Sequence, residues 1–122
     1  MDVSIVIPFL NESPNLKALC EELKAALDPI GKSYEVLFID DGSTDDGVSV
    51  LEAFRDEMPQ IKIVSFRRNF GQTAAMVAGL DYSTGEIVVT LDADRQNDPA
   101  DIPAMIAKVE EGYDMALSLI HI

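Results

Sequence analysis

Near-continuous apolar runs, separated by stretches with helical spacing, constrain this chain more than any other feature. Val3 to Ile7 is a short β-branched run closed by Pro8. Tyr34 to Ile39, Ile61 to Phe66 and Ile87 to Leu91 are three more, and Met115 to Leu119 reads as a fifth. Runs of this length with few polar interruptions are expected of strands buried on both faces. Between the first two, Leu16, Leu19, Leu23, Ala26 and Leu27 recur at helical spacing and give one apolar face. Ser13 before Pro14 reads as a capped start, and Pro29 with Gly31 as the stop. Thr44 is expected to cap the next helix, with Asp45 and Asp46 in its first turn and Val48, Leu51 and Phe54 along its stripe. Thr73 to Tyr82 reads as a small-residue helix. Asp98-Pro99 opens a last one, with Ile102, Met105, Ile106 and Val109 facing inward and Gly112 ending it.

The order is strand then helix, repeated, with no internal repeat, low-complexity segment or linker. It predicts one α/β domain over residues 1–122: a mostly parallel, Rossmann-like sheet with helices on both faces. The hydrophobic share of 48% is enough for a core. The lone cysteine, Cys20, allows no internal disulfide and falls in an apolar pattern, so a buried, inert thiol is expected. The N-terminus has no signal-peptide pattern, and no apolar run approaches the roughly 20 residues that span a bilayer. These features predict a cytoplasmic protein. A net charge of −13 argues against nucleic acid or an anionic membrane as a direct partner. It does not argue against a phosphate ligand held through a divalent cation, which reverses the local sign.

In open parallel sheets, ligands bind outside the carboxyl ends of the strands. The polar residues collected there are Asn11 and Glu12 after the first strand, and Asp40 and Asp41 after the second. Arg67, Arg68 and Asn69 follow the third, and Asp92, Asp94 and Gln96 the fourth. Carboxylates crowded on one rim raise one another's pKa, and a site that keeps them ionised usually binds a cation. Asp92, Asp94 and Gln96 would point the same way if the chain there stays extended. Oxygen donors suit Mg2+ or Mn2+. Each motif taken alone reads as a turn or a helix start; their coincidence at one edge favours a ligand site. Arg67 and Arg68 either hold a diphosphate or neutralise the acidic rim.

Three segments together resemble the signatures of family 2 glycosyltransferases, which have the GT-A (nucleotide-diphospho-sugar transferase) fold. They are Ile5-Val6-Ile7-Pro8-Phe9-Leu10-Asn11-Glu12, Phe38-Ile39-Asp40-Asp41-Gly42-Ser43-Thr44-Asp45 and Leu91-Asp92-Ala93-Asp94. Arg68-Asn69-Phe70-Gly71-Gln72 and Gln96-Asn97-Asp98-Pro99 are similar to the polyprenyl-phosphate branch, which includes dolichol-phosphate mannosyltransferases and undecaprenyl-phosphate sugar transferases. The likeness runs from Val3 to about Ala116. It implies that Pro8, Leu10 and Glu12 form the first nucleotide-contacting loop, with Leu10 where the family often has tyrosine. It implies that Ile39 and Asp41 line the pocket for base and ribose. Asp92, Ala93 and Asp94 would be the diphosphate and metal motif, with Asp94 the first-choice metal ligand and Gln96 an auxiliary one.

Two departures stand out. Arg95 replaces the family's usual apolar residue, and strand alternation turns it away from Asp94 and Gln96. The tail Leu117 to Ile122 does not follow the family pattern, so the domain is expected to be incomplete at its C-terminal end and His121 is given no role.

The resemblance implies transfer of a sugar from a UDP- or GDP-sugar to a polyprenyl phosphate, with inversion, in a parent protein at the cytoplasmic face of a membrane. The acceptor half would be missing, so the 122 residues alone are expected not to turn over, and oligomerisation stays open. A phosphate acceptor needs little help from a general base. A hydroxyl acceptor, the alternative within the family, would need one, and no secure candidate stands in the sequence. A phospho-accepting receiver domain would carry its acidic pair after strand one and a lysine after strand five, which this chain does not. A dinucleotide-binding domain would need a Gly-x-Gly-x-x-Gly after strand one, also absent.

Overall fold

The computed structural model describes residues 1–94, 98–112 and 118–121. Among these residues five strands form one sheet: β1 (Val3–Phe9), β2 (Tyr34–Asp40), β3 (Ile61–Ser65), β4 (Ile87–Thr90) and β5 (Ser118–His121). Their spatial order is β3-β2-β1-β4-β5 and every pair is parallel. The expected architecture is therefore the one found. The order also separates the chain from receiver domains, whose sheets run 2-1-3-4-5. The fifth strand is described over Ser118–His121; Met115, Ala116 and Leu117 of the expected strand lie outside the described residues.

Among the described residues four α-helices cover the sheet: α1 (Ser13–Leu27), α2 (Gly47–Phe54), α3 (Gln72–Tyr82) and α4 (Ile102–Gly112). The strand residues sort by parity. Val3, Ile5, Ile7 and Phe9 of β1, with Val36 and Phe38 of β2, meet Leu16, Leu19, Leu23 and Leu51 from α1 and α2, and Ile102 and Ile106 from α4. Val6, Leu37 and Ile39 point the other way and pack with Ala75 of α3. Cys20 is fully buried on the first face, and burial, then the nearby Glu21, pushes its thiol pKa up to about 12. It is the inert thiol expected. Among the described residues no helix is long and apolar enough to cross a membrane.

Pro8 does not close β1; the strand continues to Phe9. The Val6 carbonyl accepts from the Leu91 amide at 3.0 Å and the Phe9 carbonyl from the Asp41 amide at 2.9 Å. By that alternation, position 8 faces the β4 side. Pairing with β4 ends at Val6, so the missing proline N–H costs no ladder bond. The sheet thus opens between β1 and β4, where the connections change direction.

The opposite edge is closed by a buried carboxylate. Glu35 is 1% exposed. Its Oε2 accepts from Ser4 Oγ at 2.6 Å and from the Thr84 amide at 2.7 Å, and its Oε1 pairs with Lys62 Nζ at 2.7 Å. Ser4 Oγ accepts in turn from the Gly85 amide at 2.7 Å. The turn between α3 and β4 is held under the sheet by these bonds.

Candidate functional site

The opening at the carboxyl edge is a cleft of about 370 Å3. Phe9, Leu10 and Glu12 reach it from the end of β1, Asp41 from the end of β2, and Asp92, Ala93 and Asp94 from the end of β4. Asn69, Gly71, Gln72 and Ala75 close it from the loop after β3 and the start of α3, and Pro8 forms its floor. This is the crevice at the switch point of the sheet. Eight of the residues singled out by sequence meet here: Pro8, Leu10, Glu12, Asp41, Asn69, Asp92, Ala93 and Asp94.

Three do not. Ile39 is fully buried beneath α3, in the core with Val6 and Ala75, and does not line the cleft. It shares a face with Asp41, but Asp41 stands beyond the strand end and Ile39 inside it. Arg67 is exposed and lies outside the lining. Its neighbour Arg68 is also outside, its guanidinium 4.8 Å from the centre of the Phe70 ring. Gln96, with Arg95, lies outside the described residues.

The acidic run Asp40 to Asp46 has a different job from the one its crowding suggested. Asp40 Oδ1 accepts from the Ser43 amide at 2.8 Å. Asp41 accepts from the Phe70 amide at 2.8 Å and from the Gly71 amide at 3.1 Å, so its charge sits at the start of α3, where the helix dipole favours an anion. Asp45 accepts from the Ser13 amide at 3.0 Å and the Gly47 amide at 3.0 Å, and Asp46 accepts from the Ser13 hydroxyl. Backbone amides and a hydroxyl thus engage these carboxylates within the loops themselves. Ser13 and Thr44 are not side-chain caps of α1 and α2, as their sequence context predicted. The Thr44 amide instead donates to Asn11 Oδ1 at 2.8 Å, and the Asn11 amide to Ser43 Oγ at 2.9 Å. Asn11 has φ 53°, a conformation asparagine tolerates better than most residues. Gly42, at φ +83°, presses against the next loop: a Cβ there would lie 2.5 Å from the Arg68 carbonyl carbon. Three loops are locked together at this edge.

Glu12, Asp92 and Asp94 remain as carboxylates on the cleft beside Asp41. Glu12 accepts from Asn15 Nδ2 at 2.7 Å, and Asp92 Oδ1 from Gln72 Nε2 at 3.3 Å. No group of three or more His, Cys, Asp or Glu side chains among the described residues is clustered tightly enough to hold a metal by itself. No lysine or arginine is among the described residues that line the cleft. The charged side chains that a phosphate entering it would meet, among the described lining residues, are all carboxylates, so a hard divalent cation held by Asp92 and Asp94 would fit this donor set. Gln72 had no assigned role from sequence. Its position, at a helix start directly after a strand on the ligand edge, was the available signal.

Known proteins share this architecture. The family model described as Glycosyl transferase family 2 matches residues 4–121. The undecaprenyl-phosphate 4-deoxy-4-formamido-L-arabinose transferase of Klebsiella pneumoniae is 46% identical over 114 residues, covering 93% of this chain and 35% of the relative. S. aureus TarS, solved in complex with UDP-GlcNAc, superposes with a TM-score of 0.78 at 24% identity, over 91% of this chain and 32% of that one, and shows the fold. The mannosyltransferase PcManGT from Pyrobaculum calidifontis, solved with GDP-Man and Mn2+, gives a TM-score of 0.69 at 30% identity, over 75% of this chain and 27% of that one. The chain spans about a third of the length of the relatives it matches. The parallel sheet, the cleft at its switch point and the family match over nearly the whole length lead to one conclusion: this chain belongs to glycosyl transferase family 2, with the GT-A fold.

Proposed function

We propose that this chain is the nucleotide-sugar-binding part of an inverting glycosyltransferase that moves a sugar from a UDP- or GDP-sugar to a polyprenyl phosphate. One observation carries the reading. Asp92 and Asp94, at the end of β4, line the same cleft as Glu12 and Asp41, with no basic side chain among its described lining residues. Such a site suits a diphosphate that arrives with Mg2+ or Mn2+. Asp94 and Asp92 would hold the cation, with Gln96 as the further ligand that the family resemblance implies. When bound, it supplies stabilisation of the charge that grows on the leaving diphosphate.

The chain's own residues then set the geometry. Pro8, Leu10 and Ala93 give the cleft apolar surface against a base and ribose, and Glu12 offers a carboxylate to a ribose hydroxyl. The acceptor class rests on the 46% identity to an undecaprenyl-phosphate sugar transferase. It also rests on chemistry: a phosphate acceptor is already an anion and needs no general base. The relative and the mannosyltransferase complex bear on different parts of the reading, the first on the acceptor, the second on donor and metal.

Calorimetric titration with UDP-sugars and GDP-sugars, with and without Mn2+, tests the reading. Saturable binding that needs the metal and vanishes in Asp94→Ala is the expected result. Absence of binding to either nucleotide class in the presence of Mn2+, or undiminished binding by Asp94→Ala, would overturn it.

A further inference from the structure

We propose that Gln72 is a positioning residue of the cleft, its side-chain amide holding the Asp92 carboxylate toward the donor's diphosphate and its cation. The inference rests on the metal-assisted reading above and adds a residue to it.

Gln72 is the first residue of α3. Its backbone is fixed from the β2 side. The Asp41 carboxylate takes the amides of Phe70 and Gly71, the two residues before it. Gly71 adopts φ +103°, which turns the chain into the helix, and Gly42 lets the β2 turn touch the backbone of Arg68 and Asn69. From this anchored start, Nε2 reaches Asp92 Oδ1, on the loop after β4, at 3.3 Å. β1 lies between those two strands in the sheet, so the contact crosses the crevice. A chain of hydrogen bonds therefore runs from Asp41 through the start of α3 to Asp92.

The chemistry favours an amide at this point. A lysine or arginine would compete with a cation for the carboxylate, and an acid would repel it. A serine hydroxyl is too short to cross. A neutral N–H donor engages one oxygen, fixes the direction of the carboxylate, and leaves the other oxygen to face a ligand.

Gln72→Met keeps the length of the side chain and removes the donor. The probe is Mn2+ in the presence of UDP or GDP, followed by the electron paramagnetic resonance of free and bound ion, with thermal unfolding of the metal-free protein alongside. The expected result is Mn2+ affinity lower by roughly 10- to 100-fold, the usual cost of removing the hydrogen-bond partner of a metal-ligating side chain, with an altered line shape of the bound ion and an unchanged Tm. Wild-type affinity and line shape in the variant overturn the inference while leaving the metal reading intact. A loss of affinity that comes with a lowered Tm also overturns it, because Gln72 would then be structural. A wild-type protein that binds no Mn2+ even with UDP or GDP present overturns the metal reading and this inference together.

Discussion

At Glu35, one carboxylate ties four segments together. Burial opposes its ionisation and is the largest single influence on it. The hydrogen bonds from Lys62, Ser4 and Thr84 outweigh burial together and bring the pKa down to about 2 from the usual 4.5. A carboxyl whose folded pKa is depressed contributes stability above its unfolded pKa and loses that contribution as pH falls through the folded one. The contribution should therefore be complete above about pH 5 and fade progressively toward pH 2. A shift of this size corresponds to about 3 kcal/mol. Glu35→Gln should lower stability at neutral pH by about 1 to 3 kcal/mol, since it keeps the shape but leaves a buried amide facing donors. Its denaturation midpoint should also vary less than that of the parent between pH 5 and pH 2. Urea unfolding across that range measures both effects, and parallel pH profiles for the two proteins would contradict the account. Glu35 lies at the edge of the sheet away from the cleft, so donor binding at neutral pH should survive in whatever fraction stays folded.

At the scale of elements, α3 decides how closely the cleft's wall sits on the sheet. Ala75 and Gly79 are its buried contacts, and no side chain separates its backbone from Val6 at Gly79. A Cβ there would lie 2.2 Å from Val6 Cγ1 and 3.3 Å from Ile39 Cγ1. Both neighbours are β-branched and fully buried, so neither moves aside cheaply. Alanine would gain about 1 kcal/mol in helix propensity, and overpacking would cost about 1 to 3 kcal/mol. We expect Gly79→Ala to be destabilising on balance and to weaken Mn2+-dependent donor binding, because lifting α3 withdraws Gln72 from Asp92. A variant more stable than the parent would contradict this. The same helix shows what a sequence can and cannot reveal. Strands and the helices with an apolar stripe are legible because burial imposes their period, and the ligand edge is legible because chain direction dictates it. In α3 the buried face is Ala75 and Gly79, so its small residues marked a helix without an apolar stripe to show which side it buries. Ser13 and Thr44 carry the local pattern of caps, yet Asp45, Asp46 and Asn11 from a neighbouring loop claim them. Ile39 and Asp41 share a strand face, and only the strand's length shows that one lies in the core and the other at the cleft. Gln72 was hidden for the same reason: its partner is 20 residues away in sequence.

For the molecule as a whole, 22 acidic against nine basic side chains give a net charge of −13, and the two ways of relieving it can be separated. Self-repulsion among exposed carboxylates is a diffuse effect. Any salt weakens it as the Debye length shrinks from about 30 Å at 0.01 M to about 10 Å at 0.1 M. Relief at the cleft is local, because a divalent ion would sit between Asp92 and Asp94, and it adds stability by binding the folded state alone. Raising sodium chloride across that interval should therefore lift the Tm by a few degrees in the parent and equally in Asp94→Ala. Adding Mn2+ at matched ionic strength should lift it further in the parent only, by roughly 3–6 °C for each kcal/mol of binding. Differential scanning calorimetry on both proteins gives the comparison. A Mn2+ increment of the same size in Asp94→Ala would mean that the ion acts as a general counterion to an acidic surface. The cleft would then lose its claim to a specific metal, whatever the fold around it.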